Sequence, residues 1–246
     1  MGLEHKEGFV DMHTHILHGV DDGAKDLAAA MRLLRMARQD GTTTVVVTPH
    51  YRGQWRSNTP QLLRQRFAEL SAEAKKEIPD MTLYLGNEAG IERELGDKVA
   101  EGRVLSINDS NYVLLEFEYN CSRIQVVEGV MSVVGSGYTP IIAHAERYDI
   151  FRKNKKLAGE VLYVGARIQL NADSILGKCG FATKRVCHRL LKKGMVQFVA
   201  SDAHDSRVRQ PKLRECFEYV SKRYGEDYAW ELFRDNALGL LSGKWR

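Results

Sequence analysis

The chain alternates between short apolar runs and longer amphipathic runs. The short runs are rich in valine, isoleucine and leucine and lie between polar, helix-forming stretches, which is typical of buried parallel strands. Because periodicity and β-branched content agree, the pattern predicts seven strands, at residues 9–12, 43–48, 81–86, 112–117, 140–143, 166–170 and 196–200.

Amphipathic segments separate these strands. Apolar residues at helical spacing predict helices at residues 26–39, 59–77, 124–136, 148–154, 183–193, 211–224 and 227–241. Residues 91–109 lack a long helical period. Repeated β/α units without a low-complexity linker indicate an α/β fold in one domain over residues 1–246, either a barrel or a doubly wound sheet.

Polar residues at the strand ends distinguish these two folds. A doubly wound nucleotide-binding sheet needs a glycine-rich turn after one strand, and the sequence contains neither a GxGxxG nor a Walker motif. Nearly every predicted strand ends instead in a residue that can bind a metal, namely His13, His15, His50, Glu88, Glu116, His144, Asp202 and His204. Because the carboxyl ends of barrel strands share one rim, we expect these side chains to converge there.

The spacing and number of these residues favour a metal centre. In HxH and DxH, residues i and i+2 of an extended strand point the same way, about 7 Å apart. One such residue is usually only a satisfied polar group, but burying all of them without a cation would be costly. Five imidazoles and three carboxylates without a thiolate suit Mn, Fe, Zn or Co. They exceed what one ion can use, so we expect two or three divalent ions and hydrolytic chemistry.

Composition narrows the setting. The 246 residues are 43% hydrophobic, enough for a full core, and no apolar run is long enough to cross a bilayer. We therefore expect a cytoplasmic protein without membrane insertion. Four cysteines without a CxxC pair predict neither a disulfide scaffold nor a zinc knuckle. The formal net charge of +4 is mild and dispersed, so no nucleic-acid partner is expected.

Four sequence elements carry a family resemblance: HTHILHGVDDGA, VTPH, AHAERY and SDAH, in this order along the chain. Together they resemble the PHP (polymerase and histidinol phosphatase) superfamily. GVDDGA and AHAERY resemble its bacterial protein-tyrosine phosphatase branch, which is associated with capsule or exopolysaccharide synthesis. The resemblance implies a distorted seven-stranded (β/α)7 TIM-like barrel and a trinuclear centre, commonly with manganese. It also implies hydrolysis of phosphotyrosine on a bacterial tyrosine autokinase.

The resemblance also assigns roles to single residues. It implies metal contacts for all eight strand-end residues and phosphate binding for Arg147 and Arg209, whose guanidinium groups match phosphate oxygens bidentately. Asp22 aligns with the DDG element and could orient a water or donate a proton. Asp21 is expected only to cap the helix entering at Gly23. The implied mechanism is attack of a metal-activated hydroxide on phosphorus as the phenolate departs.

Some positions depart from the branch or allow another interpretation. His18 and Ala145 replace prolines that the branch often has, and Tyr51 replaces a histidine, which affects loop shape and substrate preference. Cys179 and Arg185 have the spacing of cysteine-dependent tyrosine phosphatases, but the segment CGFATKR contains one internal glycine and follows no predicted strand directly. A small-molecule phosphatase of the histidinol-phosphate type and a non-catalytic, metal-stabilised PHP module remain alternative functions.

Overall fold

Parallel β-strands form a curled sheet in the computed structural model, which describes residues 8–245. Every strand pair in this part of the chain is parallel. The strands are β1 (Phe9–Thr14), β2 (Thr42–Val47), β3 (His50–Tyr51), β4 (Thr82–Leu85), β5 (Glu88–Gly90), β6 (Tyr112–Glu116), β7 (Thr139–Ile142), β8 (Arg167–Asn171) and β9 (Phe198–Ala200).

Two breaks divide the sheet into the orders β1-β2-β4 and β3-β5-β6-β7-β8-β9. After β2 the chain passes through Pro49, which has no N–H for a strand ladder, and then enters β3. Asn87 lies between β4 and β5; it donates a hydrogen bond to the Pro49 carbonyl (2.9 Å) and accepts one from the Leu105 amide (2.9 Å). Seven of the nine strands therefore overlap the seven strand positions predicted from the sequence, and the short strands β3 and β5 were not predicted because they begin only after the two breaks.

The curled sheet closes between β1 and the segment that follows β9. Thr14 pairs in parallel with Ala203, and the His15 amide donates to the Ala203 carbonyl at 2.8 Å. The Asp202 amide donates to the His13 carbonyl at 3.0 Å. These bonds join the first and last strands, so the predicted distorted barrel is confirmed.

Helices follow the strands and agree with most of the predicted segments. They are α1 (Leu27–Asp40), α2 (Pro60–Glu77), α3 (Leu95–Ala100), α4 (Arg123–Gly135), α5 (Asp149–Lys153), α6 (Leu157–Val164), α7 (Ala172–Leu176), α8 (Phe181–Lys192), α9 (Arg214–Tyr224), α10 (Glu226–Trp230) and α11 (Asn236–Leu241). A π-helical turn, Glu231–Asp235, joins the last two, so the predicted closing helix is interrupted. Helices α3, α6 and α7 were not predicted, since α6 is almost entirely apolar and α3 and α7 are only six and five residues long.

The first helix also corrects the predicted cap. Asp26, not Asp21, is the N-cap of α1, and its side chain accepts a hydrogen bond from the Ala29 amide at 2.7 Å. The expectation that Asp21 caps a helix at Gly23 was therefore wrong, because the chain makes a further turn before the helix begins at Leu27. Asp21 is thus available for another role.

Apolar side chains pack between the strands and confine the polar groups to the strand ends. Val10, Met12, Leu114, Ile141 and Phe198 belong to one buried cluster drawn from β1, β6, β7 and β9. A packed interior of this kind leaves the carboxyl-terminal rim as the place for chemistry. No helix within residues 8–245 has the length and apolar character needed to cross a membrane.

Candidate metal centre

The structure brings all eight predicted ligands together at the carboxyl ends of the strands. Each of these residues is at most 8% exposed. The ligands follow or end β1, β6, β7 and β9, or begin β3 and β5 directly after the two breaks. The cluster consists of His13, His15, His50, Glu88, Glu116, His144, Asp202 and His204.

Glu88 lies at the centre of this cluster. Its Oε1 is 3.3 Å from His13 Nε2 and 2.8 Å from His144 Nε2. Its Oε2 is 3.3 Å from His15 Nε2 and 2.9 Å from His50 Nδ1. Burial alone would raise the pKa of Glu88, but His13 and the neighbouring imidazoles outweigh it and hold that pKa well below its usual range. Glu88 is therefore an ionised carboxylate with both oxygens facing histidines, as a bridging ligand requires.

Three overlapping groups of ligand atoms could each hold a cation. Within each group the atoms lie within 4.8 Å of one another. The groups are His13–His15–Glu88, His50–Glu88–Glu116, and His15–Asp22–His50–His204. Since the groups share Glu88, His15 and His50, the arrangement suits several neighbouring ions better than one isolated ion.

Unpartnered buried atoms test whether these residues fit a metal. In the described part of the chain, six polar atoms of the cluster make no hydrogen bond, although His50 Nδ1 and Glu88 Oε2 approach each other to 2.9 Å: His50 Nδ1, Glu88 Oε2, Glu116 Oε2, His144 Nδ1, Asp202 Oδ1 and His204 Nε2. Buried polar atoms are normally paired, so a group of orphaned nitrogen and oxygen atoms needs another partner. Their mixed imidazole and carboxylate chemistry fits divalent transition ions.

Asp21 is a site residue that the sequence analysis assigned to the wrong role. Its buried Oδ2 accepts a hydrogen bond from His15 Nδ1 at 2.7 Å, and its carboxylate also accepts from the Gly23 amide (3.0 Å) and the His50 amide (3.1 Å). Burial disfavours the charged imidazole, but Asp21 and Glu88 outweigh it and raise the pKa of His15 well above its usual value. With Nδ1 bound to Asp21, Nε2 of His15 faces the cluster.

The backbone around the centre is tightly constrained. A Cβ on Gly23, in the loop between β1 and α1, would lie 1.9 Å from the His15 carbonyl oxygen, so only glycine fits at this position. His144 and Asp202 have φ values of 33° and 55°, in the left-handed region that non-glycine residues seldom adopt. Strained residues of this kind cluster at functional sites, and here both are predicted ligands.

Asp202 links the cluster to the two predicted phosphate-binding arginines. Its Oδ1 lies 3.5 Å from the Nε2 atoms of both His13 and His15. Its Oδ2 accepts hydrogen bonds from Arg147 Nη1 (3.2 Å) and Arg209 Nη2 (2.5 Å). Burial would raise the pKa of Asp202, but His13, His144 and Arg209 lower it. Both arginine side chains remain partly exposed, so they can meet a ligand entering from solvent.

Asp22 lies at the solvent side of the cluster. Its Oδ1 is 3.4 Å from His204 Nε2 and 3.5 Å from His50 Nε2, and about half of its side chain is exposed. The adjacent imidazoles of His204 and His50 lower the pKa of Asp22 despite partial burial. An ionised carboxylate favours orienting a water or binding a cation over donating a proton.

Further residues at the mouth were not singled out from the sequence. Arg52 Nη1 donates to Glu116 Oε1 at 2.7 Å, and the Trp55 ring stacks on His50 with centroids 4.9 Å apart. The Tyr119 hydroxyl contacts Arg147 Nη2. Arg52 follows His50 by two residues, the spacing that drew attention to HxH, so this signal was present in the sequence.

His18 and Cys179, two other residues considered from the sequence, lie outside the eight-ligand cluster. His18 Nε2 is 3.2 Å from Glu69 Oε2 on α2. Cys179 is exposed in the short connection between helices α7 and α8. Because a helix, not a strand, precedes that connection, it lacks the strand–loop–helix setting of a cysteine-dependent phosphatase loop.

Comparison with known proteins agrees with this geometry. The sequence profile of the capsular polysaccharide synthesis family CpsB/CapC matches residues 9–242. The chain belongs to this family. It is 31% identical over 238 residues to the tyrosine-protein phosphatase CpsB of Streptococcus pneumoniae, covering 94% of this chain and 98% of that protein. It is 32% identical over 232 residues to the tyrosine-protein phosphatase YwqE of Bacillus subtilis, covering 94% and 91% of the two chains.

The fold comparison gives the same family. A chain from the crystal structures of YwqE and CpsB, described as unique metal-dependent tyrosine phosphatases, superposes with a TM-score of 0.90 at 31% identity. The match covers 96% of this chain and 95% of the other. The CpsB/CapC relationship therefore extends over the whole barrel and not only over the ligand motifs.

Proposed function

We propose that this CpsB/CapC-family chain is a metal-dependent protein-tyrosine phosphatase, acting as one PHP domain over residues 1–246. The observation that carries the proposal is the buried histidine–carboxylate cluster with two arginines held at its edge by Asp202. Such a site can hold cations and a phosphate dianion side by side. That CpsB and YwqE are tyrosine-protein phosphatases supports phosphotyrosine as the phosphate ester.

The metal centre is proposed to contain two or three divalent ions, with manganese the first choice and iron, zinc or cobalt as alternatives. Three overlapping ligand groups support the number, and the absence of a thiolate from those groups supports the metal type. The ligands in this proposal are His13, His15, His50, Glu88, Glu116, His144, Asp202 and His204, with Asp22 adjoining them.

The natural substrate is proposed to be a phosphotyrosine protein in the cytoplasm, namely a bacterial tyrosine autokinase that controls capsule or exopolysaccharide synthesis. The description of the family as capsular polysaccharide synthesis proteins supports this assignment. The partly exposed Arg147 and Arg209 support a mouth that a protein segment can reach.

The chain's own residues account for much of the proposed reaction. Arg147 and Arg209 bind the phosphate oxygens and offset the charge that develops during transfer. Ionised Asp22 accepts a hydrogen bond from the attacking water and so orients it toward phosphorus. Divalent cations in the cluster supply Lewis acidity for the phosphate and acidify water. Since a phenol has a pKa of about 10, the tyrosine oxygen leaves without a strong general acid.

The deciding experiment measures phosphate release from a phosphotyrosine peptide by metal-stripped protein, with and without added Mn²⁺, beside a matched phosphoserine peptide. We expect Mn²⁺-dependent release from phosphotyrosine only. A Cys179→Ser variant should retain full activity, because this thiol lies outside the cluster. Activity that persists without metal would contradict the proposal. Preference for a small phosphate ester such as histidinol phosphate would instead indicate the alternative phosphatase class.

A further inference from the structure

Among the seven strand positions predicted from the sequence, only the sixth, which is β8 in the structure, is followed by no predicted ligand. Its last residues, Gln169 and Asn171, nevertheless occupy positions i and i+2 at the carboxyl end, like the two histidines of HxH. Both residues are buried: Gln169 is not exposed at all, and Asn171 is 6% exposed. Buried amides at this position need hydrogen-bond partners, and those partners are ligands of the proposed centre.

The orientation of the Gln169 amide follows from one backbone bond. The His144 backbone N–H, which can only donate, points at Gln169 Oε1 at 2.8 Å. The atom that accepts it must therefore be oxygen. His13 Nδ1 lies 3.1 Å from the same oxygen, so Nδ1 must carry its hydrogen and donate. Nε2 of His13, 3.3 Å from Glu88 Oε1, is then the nitrogen that can bind a cation.

The same reasoning continues to Asn171 and Asp202. With Oε1 assigned, Gln169 Nε2 donates to Asn171 Oδ1 at 2.8 Å. Asn171 Nδ2 must then donate to Asp202 Oδ2, also at 2.8 Å. This oxygen already accepts from Arg147 and Arg209, so all of its donors lie on one side and Asp202 Oδ1 faces the histidines.

We propose that Gln169 and Asn171 are positioning residues that set the hydrogen-bond direction of the metal centre. Gln169 holds His13 in the tautomer whose Nε2 faces the cations, and Asn171 holds Asp202 with Oδ1 toward them. The pair thereby connects a predicted metal ligand on β1 to the phosphate-binding arginines after β7 and β9. This inference rests on the proposed metal centre and adds residues that were not among its ligands.

The test is the affinity of the metal-stripped protein for Mn²⁺, measured by calorimetric titration. Gln169→Met keeps the side-chain length and removes both hydrogen-bonding groups, so Mn²⁺ affinity should fall about 10–100-fold. Gln169→Glu still accepts from His13 and from the His144 amide but loses the donor to Asn171 Oδ1, so its Mn²⁺ affinity should fall less than that of Gln169→Met and no more than that of Asn171→Leu. Asn171→Leu should weaken binding less than Gln169→Met, because it acts only through Asp202.

Gln197→Met is the matched control. The Gln197 side chain accepts a hydrogen bond from the Ile168 backbone N–H of the same strand at 2.9 Å and does not take part in the chain of bonds to His13. It should bind Mn²⁺ like wild type. If Gln169→Met does not fold, Gln169→Glu still decides, because a larger loss in that variant than in Asn171→Leu would contradict the role assigned to the acceptor oxygen.

The outcomes separate this inference from the proposed function. Tight Mn²⁺ binding by wild type with unchanged affinity in folded Gln169→Met would overturn the positioning role alone. An equal loss in Gln169→Met and Gln169→Glu would also overturn it, since side-chain packing and not the acceptor oxygen would then matter. A wild-type protein that binds no Mn²⁺ would overturn the metal centre and this inference together.

Discussion

Single carboxylates in this centre use their two oxygens for different partners. Asp202 presents Oδ1 to His13 and His15 and gives Oδ2 to two arginines. Asp21 uses Oδ2 for His15 and Oδ1 for the Gly23 amide. A carboxylate whose one oxygen is held by hydrogen bonds in this way cannot rotate to pair its other oxygen with a different neighbour. It therefore presents a defined surface to a ligand or to a neighbouring imidazole.

Replacing Asp21 with asparagine tests this role at the scale of one residue. Asp21→Asn removes the charge behind His15, so the imidazole becomes less basic and loses a strong acceptor for Nδ1. Activity on a phosphotyrosine peptide should fall about 10–100-fold. Asp26→Asn is the control, because asparagine caps helices as well as aspartate does and Asp26 lies at the N-cap of α1. Wild-type kcat/KM in Asp21→Asn would contradict the assignment.

The loop from β1 to α1 is the element that shapes the solvent side of the centre. It leaves β1 at His15 and returns so that the Ala24 amide donates to the His15 carbonyl at 3.0 Å. This return places Asp21 behind His15 and Asp22 beside His204. The close backbone approach is possible because residue 23 has no side chain.

Adding one methyl group to this loop should displace the whole element. In Gly23→Ala the new Cβ would start 1.9 Å from the His15 carbonyl oxygen, so the loop must move and take both aspartates with it. Displacement of about 1 Å can cost about 100-fold in rate, which is the loss we expect in kcat/KM.

Gly135→Ala provides the comparison for that loop variant. Gly135 ends α4, and no heavy atom lies within 4 Å of a Cβ built there. Alanine at that position should change the free energy of unfolding by no more than about 1 kcal/mol and leave activity intact. Equal activity of the two variants would show that the loop tolerates the contact.

The stability of the whole barrel should depend on both metal binding and pH. Without a cation, Asp21 and Glu88 raise the pKa of His15, and Glu88 and Asp202 raise that of His13, in each case against the effect of burial. Their contribution to stability is therefore complete below the unfolded pKa of about 6.5 and is lost as pH rises through the raised folded values. Cations need neutral imidazoles, so metal binding must displace these protons at low pH.

We therefore expect Mn²⁺ to stabilise the protein more at pH 8 than at pH 6. Mn²⁺ at 100 times its Kd contributes about 2.7 kcal/mol, and a chain of this size gains about 2–4 °C per kcal/mol, so the rise in Tm should approach about 5–10 °C at pH 8. Thermal unfolding of metal-stripped protein with and without Mn²⁺ at both pH values measures this difference. An equal rise in Tm at pH 6 and pH 8 would contradict the protonation of the histidines.

Sequence alone determined the strand positions and the set of candidate ligands. Both depend on local periodicity: apolar runs mark strands, and residues i and i+2 at a strand end share one direction. Helix α6 was not predicted because its nearly uniform apolar sequence has no amphipathic period, and helices α3 and α7 were not predicted because they are only six and five residues long. The arginine assignments came from the family resemblance and not from periodicity.

Tertiary structure alone decided how the ligands are held. His13 and Gln169 are 156 positions apart, and Arg147 and Asp202 are 55 apart, so no local pattern relates them. They meet because β1 closes against the segment after β9, where the Asp202 amide bonds to the His13 carbonyl. Hydrogen bonds depend on distance and angle between atoms, which a sequence specifies only through the closed barrel. Asp21, Gln169 and Asn171 therefore acquired their roles only once that barrel was complete.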